Sequence, residues 1–149
     1  PKIKQFSQEK LQVNLAISLH APTNEIRSKL MKINHTYPLE EVILAAKEYI
    51  SKTNRRITFE YVLLNGINDQ IKHADQLSDL VRGINCYINL IRYNTVTEFE
   101  YKGTTKPQAM RFYDQLKKRG INATLRQELG SDIDAACGQL RHTDKRGEV

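Results

Sequence analysis

Residues 56–69 read RITFEYVLLNGIND. Within it, 57–64 is a β-like run, and Asn65-Gly66-Ile67-Asn68-Asp69 reads as turn chemistry after a buried strand. Three more β-like runs lie on either side: 13–18 (VNLAIS), 87–91 (YINLI) and the weaker 123–126 (ATLR). Helical stripes separate them. Leu39, Val42, Ile43, Ala46, Tyr49 and Ile50 recur at the spacing of one helix face. Pro38 reads as the first position of that helix, with Glu40 and Glu41 in its first turn, where acids suit the positive end of the dipole. Ala74, Leu77 and Val81 make a second stripe; Ala109, Phe112, Tyr113 and Leu116 make a third, closed by Lys117, Lys118, Arg119 and a capping Gly120. Strands alternating with helices predict βαβ units and a parallel sheet, as an open doubly wound sheet or as part of a (β/α) barrel. Four strands are too few to close a barrel. The chain opens almost directly on a strand, so the expectation is a segment of a larger α/β protein.

A chain of 149 residues buries about 68–70% of its unfolded surface as one compact domain, enough for a core without staples. Two cysteines cannot form a disulfide framework, which suggests a reducing, cytoplasmic setting. The opening PKIKQFSQEK has no apolar run of the signal-peptide kind, and no stretch approaches the ~18 apolar residues of a membrane helix. A net charge of +6 suits a polyanionic partner such as RNA, and equally describes an ordinary basic surface.

Working residues in such folds gather where strands end, at the carboxyl edge of the sheet. Ser18-Leu19-His20 ends the first run before Ala21-Pro22-Thr23 opens a helix, so Ser18 and His20 either contact a ligand or satisfy a turn. Asn94, after Asn89-Leu90-Ile91-Arg92-Tyr93, offers the same two readings. His20, His35, His73 and His142 have no zinc-like spacing with one another or with Cys86 and Cys137. No glycine-rich phosphate loop and no nucleophile-elbow serine is present. Cys86, at a strand start, reads as a small core side chain. Cys137 sits in SDIDAACGQL (131–140), with Ser131 as N-cap, Asp132 and Asp134 in the first turn, and small neighbours that leave room beside the sulfur. Those acids do not lower a thiol pKa, so the residues alone leave Cys137 open between a reactive and a structural role.

Together SLHAPTNEIRSKLMKIN (18–34), RITFEYVLLNGIND, NLIRYN (89–94) and DIDAACGQLR (132–141) resemble the C-terminal half of the radical S-adenosylmethionine RNA methyltransferases that modify adenosine C2 in 23S rRNA and tRNA. The resemblance spans residues 12–142, with 1–11 as lead-in and 143–149 as tail. It implies the C-terminal portion of a TIM-like partial (β/α) barrel with parallel strands. It also implies two uses of S-adenosylmethionine, one to methylate a cysteine and one cleaved at a [4Fe–4S] cluster to a radical that activates the methyl group. By the same resemblance Cys137 would carry the methyl group as S-methylcysteine, and Ser18, Leu19, His20 and Asn94 would bind the cofactor. A second cysteine would resolve the protein–RNA adduct through a disulfide.

The chain departs from the pattern in places. The family's CxxxCxxC cluster motif is absent, so this chain supplies no metal ligand, and the resolving cysteine and general base belong to the half not matched. The isolated chain is therefore expected to be inactive. Arg92 stands where the C2 enzymes usually have proline, a feature shared with related antibiotic-resistance enzymes that methylate adenosine C8. That regiochemistry is one alternative. A non-catalytic RNA-binding module is another.

Overall fold

In a computed structural model the described residues are 1–9, 13–93 and 101–126. They form a four-stranded parallel sheet of β1 (Ala16–Ser18), β2 (Ile57–Leu63), β3 (Cys86–Arg92) and β4 (Ala123–Leu125) in spatial order β1-β2-β3-β4. The helices are α1 (Lys2–Phe6), α2 (Asn24–Leu30), a 3₁₀ turn (Lys32–His35), α3 (Leu39–Thr53), α4 (Ile71–Leu80) and α5 (Lys106–Lys118).

Strand alternation decides which face is packed. Ile57, Phe59, Tyr61 and Leu63 of β2 are fully buried, as are Ile88 and Leu90 of β3, and they share one core with Ala46 and Tyr49 of α3, Leu77 of α4, and Phe112 and Leu116 of α5. Each buried Ile, Leu or Phe among them contributes about 1.5–3 kcal/mol. The intervening residues Ser18, Glu60, Asn89 and Thr124 keep solvent access on the other face. A doubly wound sheet reverses its strand order and carries helices on both faces. Here the order never reverses and one face stays open, so the architecture is a partial (β/α) barrel.

Details at the element ends differ from the sequence expectations. The first strand keeps only Ala16–Ser18 of the expected 13–18, although the Leu15 carbonyl still accepts from Thr58 N–H (2.9 Å). Leu64 leaves the parallel ladder for an antiparallel bridge to Gly103. Pro38 is the N-cap of α3, one position before its expected place. The lead-in holds α1, a single turn of helix with Phe6 stacked on Tyr49 (centroids 6.4 Å). Gly120 ends α5 as read from sequence. At φ 77° it donates to Lys117 O (2.9 Å) while Ile121 N–H donates to Leu116 O (2.9 Å), the paired bonds of a Schellman cap.

Candidate functional site

The strand register puts Ser18, Glu60, Asn89 and Thr124 in one row across the open face. Asn89 Nδ2 donates to Glu60 Oε2 (2.8 Å), which leaves the second carboxylate oxygen and the amide oxygen as neighbouring acceptors. One step towards the amino ends of the strands, Thr124 Oγ1 donates to Tyr87 OH (2.9 Å), and the Arg56 guanidinium lies 5.1 Å from the Tyr87 ring centre. Sequence reading singled out Ser18 but missed the rest of this row. The signal was there: Glu60 and Asn89 are polar residues in the middle of otherwise apolar strands.

Towards the carboxyl edge, Ser18 is exposed at the end of β1 on the open face. Leu19 turns the opposite way and is fully buried in the helix-side core. Its backbone is also engaged, the N–H with Glu60 O (3.0 Å) and the carbonyl with Arg27 Nε (3.2 Å). His20 is half-buried with a left-handed backbone, φ 58°, and its Nδ1 accepts the Val62 N–H (3.1 Å). An accepting Nδ1 carries no proton, so the neutral ring keeps its proton on Nε2. Burial, and then the nearby Arg27 charge, pull the His20 pKa below its ordinary value. Asn94 and Cys137 lie outside the described residues.

Arg27, on α2, is 3% exposed. Besides the Leu19 carbonyl, its guanidinium donates from Nη1 to Asn34 Oδ1 (2.7 Å) and Tyr37 O (3.1 Å), and lies 3.5 Å from Ser18 O. All four acceptors are neutral. A buried cation therefore stands behind the end of β1, and its field favours anionic groups of a ligand there.

The turn after β2 is exposed at Asn65 and Gly66 and buried at its end. Asn68 and Asp69 are 0% and 2% exposed. Asp69 Oδ1 accepts from Gly66 N–H (3.0 Å) and Oδ2 from Thr104 Oγ1 (2.6 Å), while Arg92 Nε donates to the Thr104 carbonyl (3.3 Å). Arg92, the departure from the C2 pattern, is thus tied to the segment at 101–105.

A groove of about 570 Å³ lined by Ile3, Ile17, Ile33, Val42 and Leu44 lies on the helix side of the sheet. Arg27, Tyr37 and Glu41 also line it. The polar groups at the strand ends, however, gather on the open face, at the carboxyl edge where ligands bind in such folds, so that face is the candidate site. Among the described residues no group of three or more His, Cys, Asp or Glu could hold a metal ion. Cys86 is buried and its thiol is pushed up to about 11 by burial. The described residues do not fit an iron–sulfur cluster. They do fit a nucleoside carrying an amino acid, because the open face combines hydroxyl, carboxylate and amide groups and a neutral imidazole, with a buried cation behind. No described helix is long and apolar enough to cross a membrane.

No family model matches the chain. Over 93% of its length it superposes on part of a radical SAM methyltransferase from Sphaerobacter thermophilus, with TM-score 0.89 and 44% identity, covering 41% of that chain. A domain of pyruvate-formate lyase-activating enzyme from Bacteroides vulgatus shares the fold alone, with TM-score 0.60 and 14% identity over 76% of this chain and 66% of that one. The open-faced, all-parallel sheet therefore matches one part of the barrel of that radical SAM methyltransferase. All 149 residues align at 55% identity with the probable dual-specificity RNA methyltransferase RlmN of Geobacillus kaustophilus, and at 52% with that of Bacillus subtilis. The segment is homologous, end to end, to the C-terminal part of the dual-specificity RNA methyltransferase family RlmN. It spans about 41% of the length of these curated relatives.

Proposed function

We propose that this chain is the C-terminal part of a cytoplasmic radical SAM enzyme that methylates C2 of adenosine in 23S rRNA and tRNA. The observation that carries the reading is the 55% identity over the whole chain to a relative named a dual-specificity RNA methyltransferase. When bound, S-adenosylmethionine with a [4Fe–4S] cluster held elsewhere in the protein supplies both the methyl group and the radical chemistry.

The residues of this chain bind and orient. Ser18, Glu60 and Asn89 offer a hydroxyl and neighbouring acceptors to the hydroxyls of a nucleoside. His20 gives a hydrogen-bond donor without adding charge beside a sulfonium. Asn94 is a further cofactor contact. Arg27 favours the carboxylate of the amino-acid part from behind the strand end. Cys137 is the residue that receives the methyl group, and its sequence neighbours Ala135, Ala136 and Gly138 are small, which suits the approach of a flipped-out base.

The test is mass spectrometry of RNA treated with the cluster-reconstituted full-length protein. The expected product is 2-methyladenosine, lost in Cys137→Ala. 8-Methyladenosine would assign the C8 alternative, to which Arg92 points, and a Cys137→Ala protein that still methylates would overturn the reading. The isolated chain gives no product.

A further inference from the structure

Chain reversal does not need the burial that Asn68 has, and all of its side-chain polar atoms are engaged. Asn68 Nδ2 donates to His20 O (2.8 Å) and Val62 O (2.7 Å), and Oδ1 accepts from Leu64 N–H (2.7 Å). The Asn68 carbonyl accepts from the buried Tyr61 hydroxyl (2.9 Å). The two carbonyls gripped by Nδ2 belong to the two residues whose contact orients the imidazole, since Val62 N–H donates to His20 Nδ1 (3.1 Å). His20 also holds a left-handed backbone. For a side chain other than glycine that conformation persists only where the surroundings enforce it, and such positions cluster at functional sites. Beyond Asn68, the enforcing bonds run from Leu19 and His20 N–H to Glu60 O (3.0 and 3.3 Å).

We infer that Asn68 is a positioning residue for the adenosyl cofactor, fixing His20 in one tautomer so that a neutral Nε2–H meets a hydrogen-bond acceptor of the bound nucleoside. The inference rests on the function proposed above. Asn68 touches no ligand itself. Its effect on binding passes through the His20 backbone and the Val62 contact. Neutrality matters because an imidazolium would turn Nδ1 into a donor facing the Val62 N–H.

A double-mutant cycle in the reconstituted full-length protein tests this, with S-adenosylhomocysteine binding followed by calorimetry. Asn68→Ser should weaken binding about tenfold, the loss of roughly one well-made hydrogen bond. His20→Gly suits the left-handed backbone and removes the imidazole, so in that background Asn68→Ser should change binding less than about twofold. Equal weakening in both backgrounds, or none in the parent, overturns the inference. Histidine ¹⁵N spectra give a reading that a merely structural role would not move. His20 should show a single Nε2–H tautomer in the parent and a mixture in Asn68→Ser, and an Nδ1–H tautomer in the parent would refute the assignment. If Asn68→Ser fails to fold, Asn68→Asp keeps the shape with at most one donor and enters the same cycle. A parent that does not bind S-adenosylhomocysteine overturns the proposed function and this inference with it. A parent that binds, with losses independent of His20, overturns the inference alone.

Discussion

Replacing Arg27 by methionine keeps most of the side-chain volume and removes the charge and the donors. Three short bonds disappear, to Leu19 O (3.2 Å), Asn34 Oδ1 (2.7 Å) and Tyr37 O (3.1 Å). Hydrogen bonds to a charged group are worth about 1.5–3 kcal/mol each, so the gross loss is roughly 4–9 kcal/mol. Against it stands relief from burying a guanidinium, a penalty of several kcal/mol. The bonds should prevail, because the Leu19 and Asn34 acceptors lose a buried partner and Asn34 is itself 3% exposed. A net destabilisation of about 2–4 kcal/mol is expected in urea unfolding of this chain, a large fraction of the 5–15 kcal/mol typical of a domain. The same variant should let the His20 pKa rise, because the Arg27 charge is one of the two causes holding it down. An unfolding midpoint within error of the parent, or a higher one, would show that desolvation cancels the network and would refute the argument.

Other outcomes follow from single side chains. His20 and His73 both titrate below their ordinary value of 6.5, chiefly through burial, so the unfolded chain binds the extra protons first. Stability should be fully present above about pH 6.5 and fall as the pH drops through that value, and His20→Asn should flatten the slope; an unchanged slope contradicts this. Cys86, with its thiol near 11, should stay unlabelled in a brief disulfide-reagent treatment at pH 8 read by peptide mapping. Labelling at the rate of a free thiol would show that the side chain is accessible. Gly120→Ala meets no atom within 4 Å at its new Cβ, so its cost is that of the left-handed backbone alone, about 1–2 kcal/mol by thermal unfolding. No measurable loss would mean that the cap rearranges.

Elements that pack one continuous face were legible in the sequence. The stripes of α3 and α5 have the helical period because each lies on the sheet along one side, and Gly120 announced its cap because few other residues tolerate that φ. The choice between a barrel segment and a doubly wound sheet came through the resemblance and not from local pattern, since it depends on which strands become neighbours. Ser18 and His20 could be placed at a strand end, but Leu19 between them alternates into the core. Arg27 and Asn68 look like surface residues in sequence; their burial follows from partners 4 to 48 positions away. Asn94 and Cys137 stood open between a functional and a structural role until the resemblance gave each a function, and both fall outside the described residues.

The reach of Asn68 and Asp69 limits what the chain can change between β2 and α4. Surface connections generally accept added residues cheaply. Here a single insertion between Leu64 and Asn68 is expected to strain the bond from the amide to the His20 carbonyl, 48 positions away, and the bond from Thr104 to the carboxylate, 35 positions away. Length drift should be rarest at a stretch that, judged by composition alone, looks the most expendable.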